Sequence, residues 1–156
     1  MKTARRTTFD TYTGQQRSKL MAKIKSKDTK PELILRKALF RDGLRYRTHR
    51  GDLPGRPDIS VEKYKLIIEV RGCFWHGHEN CADGHNPRKN STFWENKLSN
   101  NKKRDKINLE KLTNLGYTVF IFWECEVKRK ATLDKKLDTL YGLLKKNHGL
   151  CLGQGR

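Results

Sequence analysis

The chain of 156 residues fits one compact domain. Its 35% hydrophobic residues imply a modest core, and its net charge of +18 narrows the kinds of partner that the domain can bind. The sequence has no run of about 18 or more apolar residues and no apolar stretch near its N-terminus, so we expect neither a membrane span nor a secretory signal, and hence a cytoplasmic protein. The basic excess predicts a polyanionic partner, DNA or RNA, because the basic segments lack the apolar face that binding to an anionic membrane would require.

The first third of the chain is its most basic part. Residues 1–50 contain fifteen Lys and Arg against four Asp and Glu. We expect residues 1–14 to form a flexible basic arm that orders on a polyanion, because they are polar and show no periodicity. Residues 15–156 are expected to form a single domain.

The remaining pattern predicts helices and strands in alternation. Two helices come first, over residues 15–26 and 29–42, the second capped by Thr29. The apolar face of the second helix is expected to be Leu33, Ile34, Ala38 and Leu39. Strands follow at 44–48, 58–61, 65–71 and 117–123, and helices at 92–115 and 132–146. With the second and third strands paired as a hairpin, this order predicts an α/β domain whose mixed central sheet is flanked by helices.

Acidic residues in the predicted hairpin indicate a divalent-metal site. Asp58 follows Pro57 at the start of one strand, and Glu69-Val70-Arg71 ends the other. The two carboxylates and the Val70 carbonyl could meet at one point, which would suit Mg²⁺, and Arg71 could steady charge developing on a phosphate. The spacing resembles the PD-(D/E)xK nuclease motif with Arg in place of Lys. The alternative is an ordinary turn aspartate and a solvated strand glutamate.

The loop after the hairpin, residues 72–87, is rich in cysteine and histidine. In a reducing cytosol this composition indicates a structural Zn²⁺ site rather than disulfides. The four candidate ligands are Cys73, His78, Cys81 and Cys125. His85 or His76 could replace His78, and two of the cysteines could simply be buried. Cys151 lies in a polar tail, and we expect it to be an uninvolved thiol.

His76 lies in the same loop, five residues after Arg71. A neutral imidazole there could act as a general base or donate a proton to a leaving group. The alternative is a structural histidine. Its position beside the predicted metal-binding strand favours the catalytic interpretation.

Aromatic and basic side chains near the loop could contact DNA. Aromatic rings can wedge between base steps, and unstacking costs least at a mismatch. We expect Phe74 and Trp75 to have this role and Phe93 to pack in the core, while Trp94 also flanks the loop. Basic residues on the following helix could track the phosphate backbone or form a solvated face; they are Lys97, Lys102, Lys103, Arg104 and Lys106.

Several short strings together resemble one enzyme family. They are Arg17-Ser18-x2-Met21-x2-Ile24, LPGRPD ending at Asp58, GCFWHGH over residues 72–78, Phe93-Trp94-x2-Lys97 and Trp123-Glu124-Cys125. In this order they closely resemble the very-short-patch-repair DNA mismatch endonucleases. The resemblance covers roughly residues 15–130, and LPGRPD with GCFWHGH is a specific combination.

The resemblance implies a restriction-endonuclease-like fold with a structural zinc site. It implies a monomer that binds double-stranded DNA and uses Mg²⁺ to nick one strand 5′ of the mispaired T in T:G mismatches, which arise when 5-methylcytosine deaminates. It makes Asp58 the metal-binding carboxylate with the Val70 carbonyl beside it, His76 the catalytic histidine, and Glu32 a support of the metal's water shell. It assigns zinc to Cys73, His78, Cys81 and Cys125, and the intercalating wedge to Phe74, Trp75 and Trp94.

The chain departs from that family at two positions of the metal-binding strand. In well-studied members the position of Glu69 is not acidic and that of Arg71 is a histidine. Two other functions therefore stand beside mismatch repair: a restriction-associated or homing-associated nickase on the same scaffold, and a zinc-stabilised DNA-binding module without catalysis. Asp58, Glu69 and His76 argue against the non-catalytic module.

Overall fold

The computed structural model describes residues 13–23, 25–79, 81–84 and 90–149. Its helices are α1 (Gly14–Ala22), α2 (Lys30–Arg41), α3 (Ser91–Asn114), α4 (Glu124–Lys128) and α5 (Lys130–His148). Its strands are β1 (Arg47–Thr48), β2 (Ile59–Val61), β3 (Leu66–Arg71) and β4 (Thr118–Trp123). Single-turn 3-10 helices occur at Glu62–Tyr64 and Ala82–Gly84. Residues 1–12 of the predicted arm, His85 and Cys151 lie outside the described residues.

The predicted order of elements is confirmed, with two differences. The strand predicted at 44–48 is confined to Arg47–Thr48, and the short helix α4 was not predicted. Helix α4 begins directly after β4, where a carboxylate oxygen of Glu126 accepts a hydrogen bond from the Trp123 backbone N–H at 2.9 Å. A carboxylate three residues into a helix that reaches back in this way satisfies a donor at the helix start.

The four strands form one mixed sheet in the order β1-β2-β3-β4. The predicted hairpin is confirmed, because β2 and β3 are antiparallel with Ile59 opposite Ile68. Strand β4 lies parallel to β3, with Val70 opposite Phe122. A parallel neighbour requires a crossover connection, and α3 lies within the one that joins β3 to β4.

Both faces of the central strand β3 are buried. Leu66 and Ile68 belong to the larger core cluster, which includes residues of α2 and α5, whereas Ile67 packs in a second cluster with Leu112 of α3. Side chains alternate along a strand, so helices cover the sheet on both sides. This α/β arrangement is consistent with a restriction-endonuclease-like fold. No helix among the described residues is long and apolar enough to cross a membrane.

One prediction for the apolar face of α2 is wrong. Leu35, Ala38 and Leu39 are buried, but Leu33 is 43% exposed. The buried positions follow the i, i+3, i+4 spacing of one helix face. Leu33 is two residues from Leu35, about 200° away around the helix, and therefore points away from the sheet.

The topology brings three strand ends to the same edge of the sheet. The start of β2 lies beside the end of β3 because these strands are antiparallel. The end of β4 lies beside the end of β3 because these strands are parallel, with Trp123 opposite Arg71. The segment before β2 and the segments after β3 and β4 therefore meet at one edge.

Candidate active site and metal centre

A cavity of about 760 Å³ opens at this edge of the sheet. Its wall includes most of the charged residues that the sequence singled out: Glu32, Asp58, Glu69, Arg71 and His76. Basic side chains also line it, namely Lys25, Arg56 and Arg104. The cavity is thus lined by both carboxylates and basic side chains, a combination that can hold a cation together with a phosphate group.

Asp58 lies at the start of β2 and is held against the end of β3. Its Oδ2 accepts a hydrogen bond of 2.7 Å from the backbone N–H of Val70. Burial raises the pKa of Asp58 from its ordinary 3.8 to about 6; the Val70 N–H opposes this rise, and the negative charges of Glu32 and Glu69 add to it. The pocket therefore carries more negative charge than it can stabilise by itself, a condition that favours a bound cation.

Glu69 and Arg71 form an ion pair on the same strand. The Nε and Nη2 of Arg71 lie 2.9 and 2.7 Å from one oxygen, Oε2, of Glu69. Both side chains are largely buried, 17% and 14% exposed. The sequence suggested separate roles for these residues at a metal and at a phosphate; in the structure their charges neutralise each other.

Glu32 is buried at the first turn of α2, where it lines the cavity. One carboxylate oxygen accepts a hydrogen bond from the Asp28 backbone N–H at 2.9 Å, and the other accepts from the Thr29 hydroxyl at 2.7 Å. These bonds fix the carboxylate at the N-terminal end of the helix, where partial positive charge also favours an anion.

His76 is oriented by a residue that the sequence analysis missed. Its Nδ1 lies 2.5 Å from Oδ2 of Asp105, which is 12% exposed on α3. A carboxylate on Nδ1 favours the tautomer with the proton on that nitrogen, so Nε2 is the atom that can accept a proton. Asn101, one turn earlier on α3, donates to the Trp75 carbonyl at 3.0 Å and holds the same loop. Asn101 and Asp105 are four residues apart and therefore lie on one face of the helix, and this spacing is the sequence signal that could have identified them.

The four cysteine and histidine side chains predicted to bind zinc come together. The ligand atoms of Cys73, His78, Cys81 and Cys125 all lie within 4.8 Å of one another. Of the alternatives, His76 contacts Asp105 instead, and His85 lies outside the described residues. The geometry of the four predicted residues therefore suits a bound metal ion.

The surroundings of this cluster fit a cation held by thiolates. Burial raises the pKa of the Cys73 thiol to about 12, so its ionised form needs a positive charge beside it. The His78 ring is stacked on Trp123, with 4.2 Å between ring centroids and 7° between planes, and its Nδ1 lies 3.5 Å from Cys125 Sγ. Three sulfur atoms and one imidazole are a donor set that suits Zn²⁺.

Four aromatic rings form a connected group beside the cavity, which we call the aromatic cluster: Phe74, Trp75, Phe93 and Trp94. The ring centroid of Phe74 lies 5.1 Å from that of each tryptophan, and the ring centroid of Phe93 lies 5.3 Å from that of Trp94. Phe93 is 60% exposed, so the expectation that it packs in the core is wrong. The beginning of α3 that carries it is mostly exposed, and Leu98 is its first buried residue.

Comparison with known proteins gives the family. The model of the family described as DNA mismatch endonuclease Vsr matches residues 9–83. A type II nicking enzyme of Neisseria meningitidis serogroup A, V.NmeAIP, is 44% identical over 131 residues, covering 84% of this chain and 93% of that protein. The DNA mismatch endonuclease Vsr of Escherichia coli K12 is 37% identical over 124 residues, covering 80% of this chain and 79% of that protein.

These similarities agree with a pocket that combines carboxylates, an oriented imidazole and basic side chains. The protein is an endodeoxyribonuclease, and DNA is its partner. The chain belongs to the DNA mismatch endonuclease Vsr family, whose activity is part of DNA mismatch repair. The matched segment includes Glu32, Asp58 and His76, whereas Asp105 and Cys125 lie beyond it.

Proposed function

We propose that the protein nicks one strand of double-stranded DNA on the 5′ side of the mispaired T in T:G mismatches, using Mg²⁺. The observation that carries the proposal is that Asp58, held on the end of β3, shares one cavity with the His76–Asp105 pair. The Escherichia coli relative is named a DNA mismatch endonuclease, and the meningococcal relative a nicking enzyme. We further propose that the protein acts as a monomer in the cytoplasm.

Asp58 and the Val70 carbonyl would hold the catalytic Mg²⁺, and Glu32 would accept hydrogen bonds from its water shell. Oxygen donors suit this hard ion, and the raised pKa of Asp58 indicates uncompensated negative charge at this point. When bound, Mg²⁺ lowers the pKa of a coordinated water and offsets the negative charge of the phosphate. Below about pH 6 protonation of Asp58 would weaken binding of the cation.

His76 would exchange the proton that hydrolysis requires. Its Nε2 can accept a proton from the attacking water as the water oxygen bonds to phosphorus, or, when protonated, donate one to the leaving deoxyribose oxygen as the P–O bond breaks. Asp105 would keep the imidazole oriented and stabilise its protonated form. A general acid–base group of this kind contributes about 10²–10⁴-fold to the rate.

Arg71 would turn from Glu69 to the phosphate when DNA enters the cavity. The guanidinium already lines that cavity, and phosphate offers two oxygens in the planar arrangement that arginine prefers. Glu69 would then be free to share in binding the cation. This exchange of partners is how the chain would use a glutamate and an arginine at these two positions.

Phe74, Trp75 and Trp94 of the aromatic cluster would intercalate beside the mismatch. Trp75 lines the cavity, and the three rings contact one another. Inserting rings into a base step costs a few kcal/mol of unstacking, and this cost is smaller at a T:G pair than at a matched pair. The net charge of +18 would supply affinity that does not depend on sequence.

A structural Zn²⁺ held by Cys73, His78, Cys81 and Cys125 would fix the loop that carries His76. The first three ligands belong to this loop and the fourth lies in α4, directly after β4. Such a closed site would attach the loop to the end of the central sheet. It would therefore set the position of the imidazole relative to Asp58.

A strand-labelled nicking assay tests the proposal. Wild-type protein and Asp58→Asn are incubated with T:G and matched T:A duplexes with and without Mg²⁺, and each strand carries a different dye. Mg²⁺-dependent cleavage by wild type only, 5′ of the T and only in the T:G duplex, supports the proposal. Equal nicking of matched DNA would instead indicate a restriction-associated nickase, and DNA binding without any cleavage a binding module. Asp52→Asn, which changes an exposed carboxylate, should retain wild-type activity.

A further inference from the structure

A second group of metal-ligating side chains lies at the edge of the catalytic cavity. Asp28, Glu32 and His49 present one ligand atom each, and these atoms lie within 4.8 Å of one another. We propose that the three residues form a binding site for a divalent transition-metal ion, with Zn²⁺ as the ion that fits best. The site shares Glu32 with the wall of the Asp58 cavity, takes its other two ligands from outside that cavity, and has no ligand in common with the Cys/His cluster. The proposal does not depend on the nicking activity.

The Nε2 atom of His49 is the observation that points to a ligand. Among the side-chain atoms of the described residues, it is the buried nitrogen or oxygen that has no hydrogen-bond partner. A buried polar atom without a partner destabilises the fold, and in proteins such an atom is usually paired with a water molecule or an ion. The atom lies within 3.6 Å of a carboxylate oxygen of each acidic residue, so a cation between the three groups would satisfy it.

The distances favour a shared ion over a direct hydrogen bond. His49 Nε2 lies 3.5 Å from Asp28 Oδ1 and 3.6 Å from Glu32 Oε2. These separations exceed the range of about 2.7–3.2 Å for N–H···O hydrogen bonds. Two ligands bound about 2.0–2.1 Å from a tetrahedral Zn²⁺ are about 3.3 Å apart. A shift of a few tenths of an ångström would therefore let His49 Nε2 share an ion with either carboxylate, and the two carboxylate oxygens lie within 4.8 Å of each other.

Both carboxylates can accept an ion without losing their present partners. Glu32 Oε2 accepts the Asp28 backbone N–H, and Asp28 Oδ1 contacts Arg36 at 2.6 Å. Each carboxylate has about four lone-pair sites, so these bonds leave coordination sites open.

The donor set selects against Mg²⁺. One imidazole with two carboxylates matches the mixed nitrogen and oxygen ligands of Zn²⁺, whereas Mg²⁺ prefers oxygen ligands only. Glu32 comes from the start of α2 and His49 from the residue after β1. A bound ion would fasten these two segments together and fix Glu32 at the wall of the cavity that contains Asp58.

Metal counting on the purified, folded protein tests the proposal. Wild type, His49→Asn and the control His148→Asn are equilibrated with Zn²⁺ at low micromolar free concentration in excess Mg²⁺, and zinc per protein is measured. His49 has φ +49°, a conformation that asparagine tolerates, so the variant should fold. His148 lies at the end of α5, where its ring packs on Tyr64, far in sequence from the site.

We expect His49→Asn to bind one zinc ion fewer than wild type and His148→Asn. It should also lose the part of the zinc-induced rise in Tm that this ion contributes, because an ion that binds only the folded state stabilises it. Asp28→Asn should weaken the same binding event by about tenfold or more, since even outer partners of a metal site have effects of this size. Equal zinc counts in wild type and His49→Asn would overturn the proposal and leave the three residues as an ion-pair group. Either outcome is independent of whether T:G duplexes are nicked.

Discussion

Replacing Asp58 by asparagine should make the protein more stable while abolishing its activity. The pKa of Asp58 is raised from 3.8 to about 6 in the folded state, chiefly by burial. Between these values the folded state binds more protons than the unfolded state, so the contribution of this group to stability falls as pH rises through the window. Above about pH 6 the ionised carboxylate costs the fold about 3 kcal/mol, because each pKa unit corresponds to about 1.4 kcal/mol.

Asparagine keeps the shape of the side chain and an oxygen that can accept the Val70 N–H, but it carries no charge. At about pH 7.5 we therefore expect the free energy of unfolding of Asp58→Asn in urea to exceed that of wild type by about 3 kcal/mol. At about pH 5 the difference should shrink to about 1.5 kcal/mol, because Asp58 of the wild type is then mostly protonated in the folded state. Added Mg²⁺ should stabilise wild type and leave the variant unchanged.

The control is Asp52→Asn, at an exposed carboxylate paired with Arg50. The hydrogen bond from Arg50 lowers the pKa of Asp52, so removing its charge should leave stability unchanged or slightly reduced. An Asp58→Asn protein that is less stable than wild type at neutral pH would refute the reasoning. So would a stability difference between the two that does not change between about pH 5 and pH 7.5.

Three further predictions concern the imidazole, the metal loop and the aromatic cluster. His76→Ala should lower the single-turnover nicking rate by about 10²–10⁴-fold, and Asp105→Asn by a smaller factor, with DNA affinity in gel-shift assays unchanged in both. Gly84→Ala should lower zinc content, because a Cβ there would lie 2.1 Å from the His78 carbonyl oxygen and force the Cys/His loop to move. Trp75→Ala should reduce the ratio of T:G to T:A binding, measured by competition, because the mismatch preference is expected to come from ring insertion.

Two of these predictions have a matched control in the same chain. Gly142→Ala lies in α5 with nothing within 4 Å of the new Cβ, so it should keep full zinc content. Phe93→Ala removes the exposed outer ring of the aromatic cluster and should change mismatch preference less than Trp75→Ala. If Asp105→Asn impaired DNA binding as much as nicking, the role assigned to Asp105 in orienting His76 would be wrong.

Much of this site could be predicted from the sequence because its parts are local. Asp58 and Glu69 belong to adjacent strands of one hairpin, and pairing of such strands is determined by residues near one another in the chain. Three of the four cysteine and histidine ligands lie within residues 73–81, so composition and spacing alone indicated a metal site. The basic excess indicated nucleic acid before any fold was considered.

The sequence by itself therefore determined most of the helices and strands, the cysteine, histidine and carboxylate side chains available to bind a metal, and a polyanion as the partner. Only the tertiary structure placed Asp105 of α3 on His76, and His49 beside Glu32. These contacts join segments that are brought together when α3 and α2 pack around the sheet. Residue patterns of period 2 or 3.6 indicate which face of a strand or helix is buried, but not which residues that face contacts. Phe93 shows the same limit, since an apolar residue in a helix can equally face the core or, as here, the solvent beside the cavity that contains Asp58.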